Sequence, residues 1–273
     1  MADIMETQIK KVDPVIELAL SAQFFSLGAL NSGHYGIFWN SLRDEWPFVT
    51  EANHIPDQFE KFDVQSERPV LPVLHVESLR RPNRFTITNL DKTRMMQIQP
   101  TRFVYNWIRK EGQEYPGFEQ IFKEFCDMLR LFVKTLNTCE VEPPLFNQWE
   151  IAYVDSFGRS DWDTFEDWQT IIPGLFISMN KDFPEDLSMD HRSAQWAMEI
   201  KQAKGRLHIS AHPGYNQSLK PDSLMLNMTA RGPVDRKDQE SIEHGIRLGH
   251  GSIRKCFQAI VSTPVRERMR NLS

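Results

Sequence analysis

The hydrophobic positions of this chain recur at two spacings, and each spacing predicts a different element. Residues 14–25 form a mostly apolar run with the length of a buried strand. Asn31 and Ser32 are favourable helix caps, and Tyr35 and Phe38 then begin a set of apolar residues at helical spacing. The chain is therefore expected to open with a strand and a helix.

The next part of the chain predicts an antiparallel meander. Strands are expected at residues 70–77, 84–90 and 94–109, with turn-like sequences at 81–83 and 90–92 between them. Within residues 94–109 apolar and aromatic side chains occur at odd and at even positions, which point to opposite faces of a strand. Both faces of that strand are therefore candidates for burial.

The longest helical stripe begins after Pro116, a residue suited to the first turn of a helix. Its apolar residues recur in steps of three and four: Phe118, Ile121, Phe122, Phe125, Leu129, Phe132, Val133 and Leu136. Residues 137–144 contain two prolines and predict a linker. The second half then predicts strands at 149–157, 194–200, 207–211 and 224–230, a short helix or loop at 160–172, and a final helix from Asp238.

These elements predict an α+β fold of two pseudo-repeated halves, residues 1–140 and residues 141–273, packed as one unit. Each half has the order strand, helix or loop, several antiparallel strands, long helix. Such an internal duplication would give one antiparallel sheet with the long helices on one face. This layout resembles the saddle of the TATA-binding protein at the level of fold alone. Two unrelated halves are the alternative interpretation.

Composition and charge narrow the class of protein. The 273 residues are 40% hydrophobic, with seven Trp and eighteen Phe, which is enough for a large core and excludes a disordered or fibrous chain. Three distant cysteines and the absence of a secretory signal at the N-terminus favour the cytoplasm, and no segment is apolar enough to predict a membrane span. A net charge of −5 gives no chain-wide basic field for nucleic acid.

Several short motifs resemble a sporadically distributed bacterial family of hypothetical proteins of about this length. They are the strand from Pro14 to Phe24, the run from Met96 to Phe103 with Asn106 and Trp107, Tyr115 with Pro116, and Gly249 to Gly251 with Ile253, Phe257 and Val261 to Thr263. The resemblance implies no assigned reaction and no agreed catalytic residues. The patchy occurrence of the family implies mobile genes, as in defence or toxin-antitoxin loci. The chain departs from the family at Ile108, which separates Trp107 from Arg109 where the family tends to place the arginine directly after the tryptophan.

The catalytic patterns in the sequence are incomplete. His208, Ser210 and His212 share one strand face, but two histidines four residues apart on a strand are about 13 Å apart, too far to share a metal ion or relay a proton. An ordinary polar sheet face is the favoured interpretation. His244 and His250, six residues apart on a helix, project to different faces.

Acidic residues cluster between Asp155 and Asp167, and such a group could hold Mg²⁺ in a nuclease or phosphatase: Asp155, Asp161, Asp163, Glu166 and Asp167. Their spacing matches no metal-binding loop, so a solvated acidic loop is favoured. The thirteen glycines form no phosphate-binding loop. No catalytic residue, metal site or cofactor is therefore assigned.

The most informative feature is the basic segment 80–110, which holds eight basic residues and one acid in an acidic chain. Its predicted partner-binding residues are Arg80, Arg81, Arg84, Arg94, Arg102, Trp107 and Arg109. Solvated strand ends that pair with distant acids are the alternative. A second basic group, from Arg254 to Arg270, also suits a helix C-terminus.

The leading hypothesis is a non-enzymatic binding or accessory protein of the bacterial cytoplasm. A broad sheet face or a sheet edge would recognise a protein partner, and a neighbouring gene is expected to encode it. Nucleic-acid binding through the basic segment is the alternative, and an undetected hydrolase or nuclease is the third hypothesis.

Overall fold

A computed structural model describes residues 14–60, 84–158, 168–175, 192–215 and 221–270. The α+β fold is confirmed, because the described residues form nine antiparallel strands and five helices. The strands are β1 Val15–Phe24, β2 Phe48–Ala52, β3 Arg84–Thr88, β4 Arg94–Gln99, β5 Arg102–Ile108, β6 Phe146–Gly158, β7 Ala194–Ile200, β8 Gly205–Tyr215 and β9 Pro221–Pro233. The helices are α1 Ser32–Asn40, α2 Phe118–Thr138, α3 Trp168–Ile171, α4 Gln239–Ile260 and α5 Thr263–Arg270.

All nine strands belong to one sheet, in the order β2-β3-β4-β5-β1-β6-β9-β8-β7. The first strand of each half lies at the centre, where β1 pairs with β6 from Val15 opposite Asp155 to Phe24 opposite Phe146. The remaining strands of each half extend outward from this pair. The two halves therefore share a continuous sheet, whereas their origin by duplication and a saddle-like curvature stay predictions.

Local sequence explains the helices that flank the sheet. Asn31 caps α1 by accepting a hydrogen bond from the Gly33 amide, and the His34 side chain reaches back to the Asn31 amide, as in a capping box. Asp238 caps α4 in the same way, since its carboxylate accepts from the Ser241 amide at 2.9 Å. The predicted apolar stripe of α2 is buried, from Phe118 to Leu136, so that this prediction is confirmed.

The core lies between one face of the sheet and the helices α1, α2 and α4. Phe103 of β5 packs against Phe125 and Phe132 of α2, with ring centroids 6.2 and 5.4 Å apart. On the other half, Trp149 of β6 lies under α4, where Gly245 and Gly249 allow a close approach of the helix. A Cβ at position 245 would lie 2.1 Å from Cδ1 of Trp149, so only glycine fits there without displacement.

Two predictions about the meander need correction. The strand predicted at 94–109 is two strands, β4 and β5, which pair with each other through a turn at Pro100 and Thr101. Both strands direct alternate side chains into the same core, but the core-facing positions shift by one across the turn, from Ile98 in β4 to Phe103 in β5. The sequence analysis also missed β2, a five-residue strand with three exposed side chains. The strand predicted at 70–77 lies outside the described residues.

In the described part of the chain, no helix has both the length and the apolar character that a membrane span requires.

Candidate functional site

The sheet has a second face, opposite α2 and α4, which we call the open face. It carries a high proportion of polar side chains, several of them buried: Ser21, Gln23, Thr86, Gln99, Arg102, Asn106 and Gln148. Several polar groups of this face bond across strands, as where Gln97 donates to Asn106 at 2.9 Å and Asn106 donates to Glu17 at 2.6 Å. Such a face differs from a solvated sheet surface, because buried polar groups must find partners.

Residues 53–60, which we call the strap, follow β2 and run across the open face. The Ile55 amide donates to the Gln99 side chain at 3.1 Å, and the same side chain donates back to the Ile55 carbonyl at 2.9 Å. Further along, Thr101 donates to Asp57 at 2.8 Å. The strap thus links the N-terminal half of the sheet to the C-terminal half.

Glu60, the last described residue of the strap, is a buried carboxylate surrounded by basic side chains of β8 and β9. Its oxygens lie 3.1 Å from Arg206, 2.5 Å from His208 and 3.5 Å from Arg231. Arg231 also pairs with Glu150 at 3.1 Å. The resulting network of ion pairs fixes the strap over the C-terminal strands.

Three of the residues predicted to bind a partner make contacts within the fold. Arg94 pairs with Glu124 of α2 at 2.7 Å, and Arg102 is buried and donates to Gln23 at 2.7 Å. Trp107 is only 1% exposed. Two of these arginines thus pair with acids from distant segments, Arg94 with Glu124 and Arg102 with Glu150.

The other predicted residues of the basic segment differ in position. Arg84 lies at the start of β3 and donates to Gln97 at 2.7 Å. Arg109 follows β5 and places its guanidinium 5.9 Å from the Trp107 ring centroid. Arg80 and Arg81 lie outside the described residues. A role of this segment in binding stays a prediction.

The histidines of β8 point to the open face, as predicted. His208 contacts Glu60, whereas His212 contacts the Asn227 amide at 3.0 Å. A groove of about 440 Å³ lies beside them. Its polar lining includes Gln58, Gln195, His208, Ser210, Asn227, Thr229 and Arg231. Of the predicted acidic cluster, Asp155 is described and 161–167 lie outside the described residues.

The groove is bordered by β7, an outer strand of the described sheet. β7 pairs with β8 along seven residues, from Ala194 opposite Ala211 to Ile200 opposite Gly205. Met198 is 43% exposed and Trp196 is partly buried. The strand holds one charged residue, Glu199, although outer strands in natural proteins usually carry features that discourage pairing.

A second concave site, which we call the helix-side pocket, lies on the other face, between α2, α4 and the ends of β1 and β6. Its volume is about 640 Å³, within the range of small-molecule sites. Its apolar lining includes Val15, Phe118, Met228, Ile253 and Phe257. Among the residues that the structure describes, the pocket therefore offers an open hydrophobic surface.

A chain of hydrogen-bonding groups runs along one wall of the helix-side pocket. The hydroxyls of Tyr115 and Tyr153 lie 3.2 Å apart, and the Tyr153 hydroxyl lies 3.0 Å from Nδ1 of His250. The His250 ring stacks on Phe118 at 3.8 Å between centroids. Burial, with a smaller contribution from the Arg254 charge, lowers the pKa of His250 to about 4. The imidazole is therefore neutral at pH 7.

Two opposite charges also line the helix-side pocket. Asp155 projects from β6 and is 2% exposed, whereas Arg254 projects from α4 and is exposed. Both act on Tyr153: burial is the main cause that raises the pKa of this phenol, Asp155 adds to the rise and Arg254 opposes it. Asp155 and Arg254 thus lie near the same hydroxyl.

The sequence analysis did not assign these pocket residues, although one signal was present. In β6, Trp149, Ile151, Tyr153 and Phe157 face the core, and Asp155 occupies the same inward alternation. A carboxylate at an apolar, inward position is a signal that the sequence pattern contains, because a buried carboxylate requires polar partners. Segments with no local relation, at Pro14, Tyr115 and His250, meet only in the folded chain.

Comparison with models of known protein families gives no match for this chain, and comparison with curated proteins gives none either.

Proposed function

We propose that the protein is a non-enzymatic binding protein that receives an extended segment of a protein partner at β7. The observation that carries the proposal is the outer edge of β7, which exposes Met198 and part of Trp196 beside a polar groove. A partner segment that adds a tenth strand would supply main-chain hydrogen bonds to this edge.

Both faces of β7 offer contacts to such a strand. Alternate side chains of the partner would pack against Trp196 and Met198 on one face and enter the groove beside Gln195 on the other. The groove presents hydroxyl, amide and imidazole groups from Ser210, Asn227 and His208. Main-chain pairing would therefore provide affinity, and the two sets of side chains would provide specificity.

The sequence analysis offered a sheet face or a sheet edge as the recognition surface, and this proposal chooses the edge. The nucleic-acid alternative is less favoured, since Arg94 and Arg102 already pair with Glu124 and Glu150. The enzymatic alternative lacks support on the open face, because the two histidines of β8 bind different partners. We also propose that the protein is cytoplasmic and that its gene lies in a defence locus.

The test is a binding measurement with the product of an adjacent gene. Met198→Lys places a charge on the β7 edge, where strand addition is discouraged, and should weaken binding at least tenfold. The matched control is Phe48→Lys at the opposite edge, β2, where the phenylalanine is 42% exposed. This control should bind as the wild type does.

Three outcomes would overturn the proposal. The first is equal binding by Met198→Lys and the wild type, and the second is an absence of binding to the products of the adjacent genes. The third is a wild-type dimer that Met198→Lys converts to a monomer, which would identify a second copy of the chain as the occupant. Binding of a mixed-sequence DNA with a steep dependence on salt would favour the nucleic-acid alternative.

A further inference from the structure

The strap buries little of its own surface. Six of its eight residues are exposed, Phe59 among them, and Ile55 is half-buried. Only the side chain of Glu60 is shielded from water, with 6% of it exposed. Because burial of apolar surface is the dominant favourable contribution to folding, a segment of this kind depends on its polar contacts to stay in place.

Two of these polar contacts reach main-chain groups of the strap, as in the recognition of a bound peptide. The side chain of Gln99 accepts from the Ile55 amide and donates to the Ile55 carbonyl, at 3.1 and 2.9 Å. The side chain of Gln148 donates to the Gln58 carbonyl at 2.5 Å. Every residue has a main-chain carbonyl, and every residue except proline has an amide, so another segment can make the same bonds.

Two carboxylates of the strap make the contacts that depend on its sequence. Asp57 accepts from the Thr101 hydroxyl at 2.8 Å, and Glu60 pairs with the basic side chains of β8 and β9. The strap thus presents two acids three positions apart. We call the side chains that contact it the seat, which consists of Gln99, Thr101, Gln148, Arg206, His208 and Arg231.

The ion pairs of the seat require a carboxylate, but not that of Glu60 in particular. The cost of taking charges out of water offsets much of the gain from pairing them, so an intact buried pair contributes little net stability. Loss of one partner is costly, because it leaves the guanidiniums of Arg206 and Arg231 without their acid. A carboxylate from another chain would satisfy the same groups.

We propose that the seat is a binding site for an acidic segment of a protein partner, and that the strap occupies it as an internal ligand until the partner displaces it. The partner segment carries two acidic residues three positions apart, as Asp57 and Glu60 are. The seat lies under the strap on the open face, whereas the strand addition proposed above uses the outer edge of β7. Either proposal can therefore fail while the other holds.

The experiment measures binding of a blocked, fluorescently labelled peptide with the sequence of residues 53–60 to the full chain, by fluorescence anisotropy. Glu60→Gln should bind this probe about tenfold more tightly than the wild type, because a weakened strap uncovers the seat about ten times as often. The matched control is Glu51→Gln, at an exposed position of β2 before the strap, which should bind as the wild type does.

A second probe and further variants assign the charges. The same peptide with Asn and Gln in place of its two acids should bind at least tenfold more weakly. Arg206→Gln, added to Glu60→Gln, should weaken binding of the acidic probe at least tenfold, because one cation of the seat is lost. Arg130→Gln in the same background removes an exposed guanidinium of α2, on the other face of the sheet, and should leave binding unchanged. Met198→Lys should also leave it unchanged, which separates the seat from the β7 edge.

Amide hydrogen exchange locates the bound probe. The acidic probe should speed exchange of residues 53–60 in the wild type, because the strap and the probe cannot occupy the seat together. This measurement keeps the test valid even if Glu60→Gln does not fold.

Four outcomes would overturn the proposal. They are a probe that binds neither the wild type nor Glu60→Gln, equal binding of the acidic and acid-free probes, no effect of Arg206→Gln, and unchanged exchange of the strap when the probe is bound.

Discussion

Trp149 shows how one side chain determines the position of a helix. Its indole is 1% exposed and is enclosed by glycines from three elements, Gly205 and Gly232 on the sheet and Gly245 and Gly249 on α4. Because glycine has no side chain, these four positions leave enough space for the indole ring. The close approach of α4 to β6 at Trp149 therefore depends on glycine at positions 245 and 249.

We expect Gly245→Ala to destabilise the protein by about 1–2 kcal/mol, because the overpacking cost exceeds the helix-propensity gain of alanine. The added Cβ would lie 2.1 Å from Trp149, whose ring also lies close to Gly205, Gly232 and Gly249. The free energy of unfolding in urea measures the effect. Gly251→Ala on the same helix is the control, since a Cβ there meets nothing within 4 Å. A loss of stability in both variants would contradict this explanation.

At the scale of elements, α2 owes its stability to the stripe that the sequence predicted. Phe125 is fully buried at 0% exposure and contacts Phe103 of β5. The exposed side of the helix carries ion pairs, such as Lys123 with Asp127. Such solvent-exposed pairs contribute little to the free energy of folding. The buried stripe is consequently the part of α2 that a substitution can test.

We expect Phe125→Ala to lower the free energy of unfolding by about 3–5 kcal/mol, through lost burial and the cavity left behind. Chemical denaturation of purified protein measures this change. Lys134→Ala, at an exposed position of the same helix, should stay within about 0.5 kcal/mol of the wild type. Equal stability of Phe125→Ala and the wild type would mean that α2 does not depend on its buried stripe.

The elements differ in how well their sequence predicts them. The helices α2 and α4 and the strands β1 and β6 have long, regular patterns and are predicted correctly. The pair β4 and β5 is predicted as one strand, because apolar residues occur on both sides of Pro100. The core-facing positions change from even numbers at Ile98 to odd numbers at Phe103, and this change of phase is the signal of a turn that the prediction overlooked. β2 was missed because its exposed side chains, such as Thr50 and Glu51, give no alternation of burial.

The candidate sites were less predictable than the elements. The charge of the basic segment was visible in the sequence, but the acids that pair with it, Glu124 and Glu150, come from distant parts of the chain. The helix-side pocket likewise combines residues from β1, β6, α2 and α4. Counting charges or motifs within one segment cannot reveal contacts between distant segments. The inward position of Asp155 in β6, by contrast, is visible in the sequence.

At the scale of the whole molecule, the strap joins the two halves across the open face. Its contact at Glu60 involves three basic side chains from β8 and β9 and is mostly shielded from water. Because a hydrogen bond to a charged group contributes about 1.5–3 kcal/mol, this cluster is the main restraint on the end of the strap.

We expect Glu60→Gln to speed amide hydrogen exchange in residues 53–60 about tenfold, because removal of the charge lowers the free energy of local opening. Exchange followed by mass spectrometry measures this effect. Glu51→Gln, at an exposed position of β2 just before the strap, is the control and should exchange as the wild type does. Unchanged exchange in Glu60→Gln would assign the restraint to the bonds of Ile55 and Asp57 instead.

The pairing of β1 with β6 at the centre of the sheet has a consequence for synthesis on the ribosome. β1 ends at Phe24 and β6 begins at Phe146, so β1 is made long before its central partner. At translation rates of about 5–20 residues per second, this interval lasts roughly 6–24 s. During that time the nascent chain carries an apolar strand whose edge toward β6 is unpaired, and this edge is a target for chaperones and for other nascent chains. The sheet can close only when the second half emerges, so slow translation through the segment between them would raise the risk of aggregation.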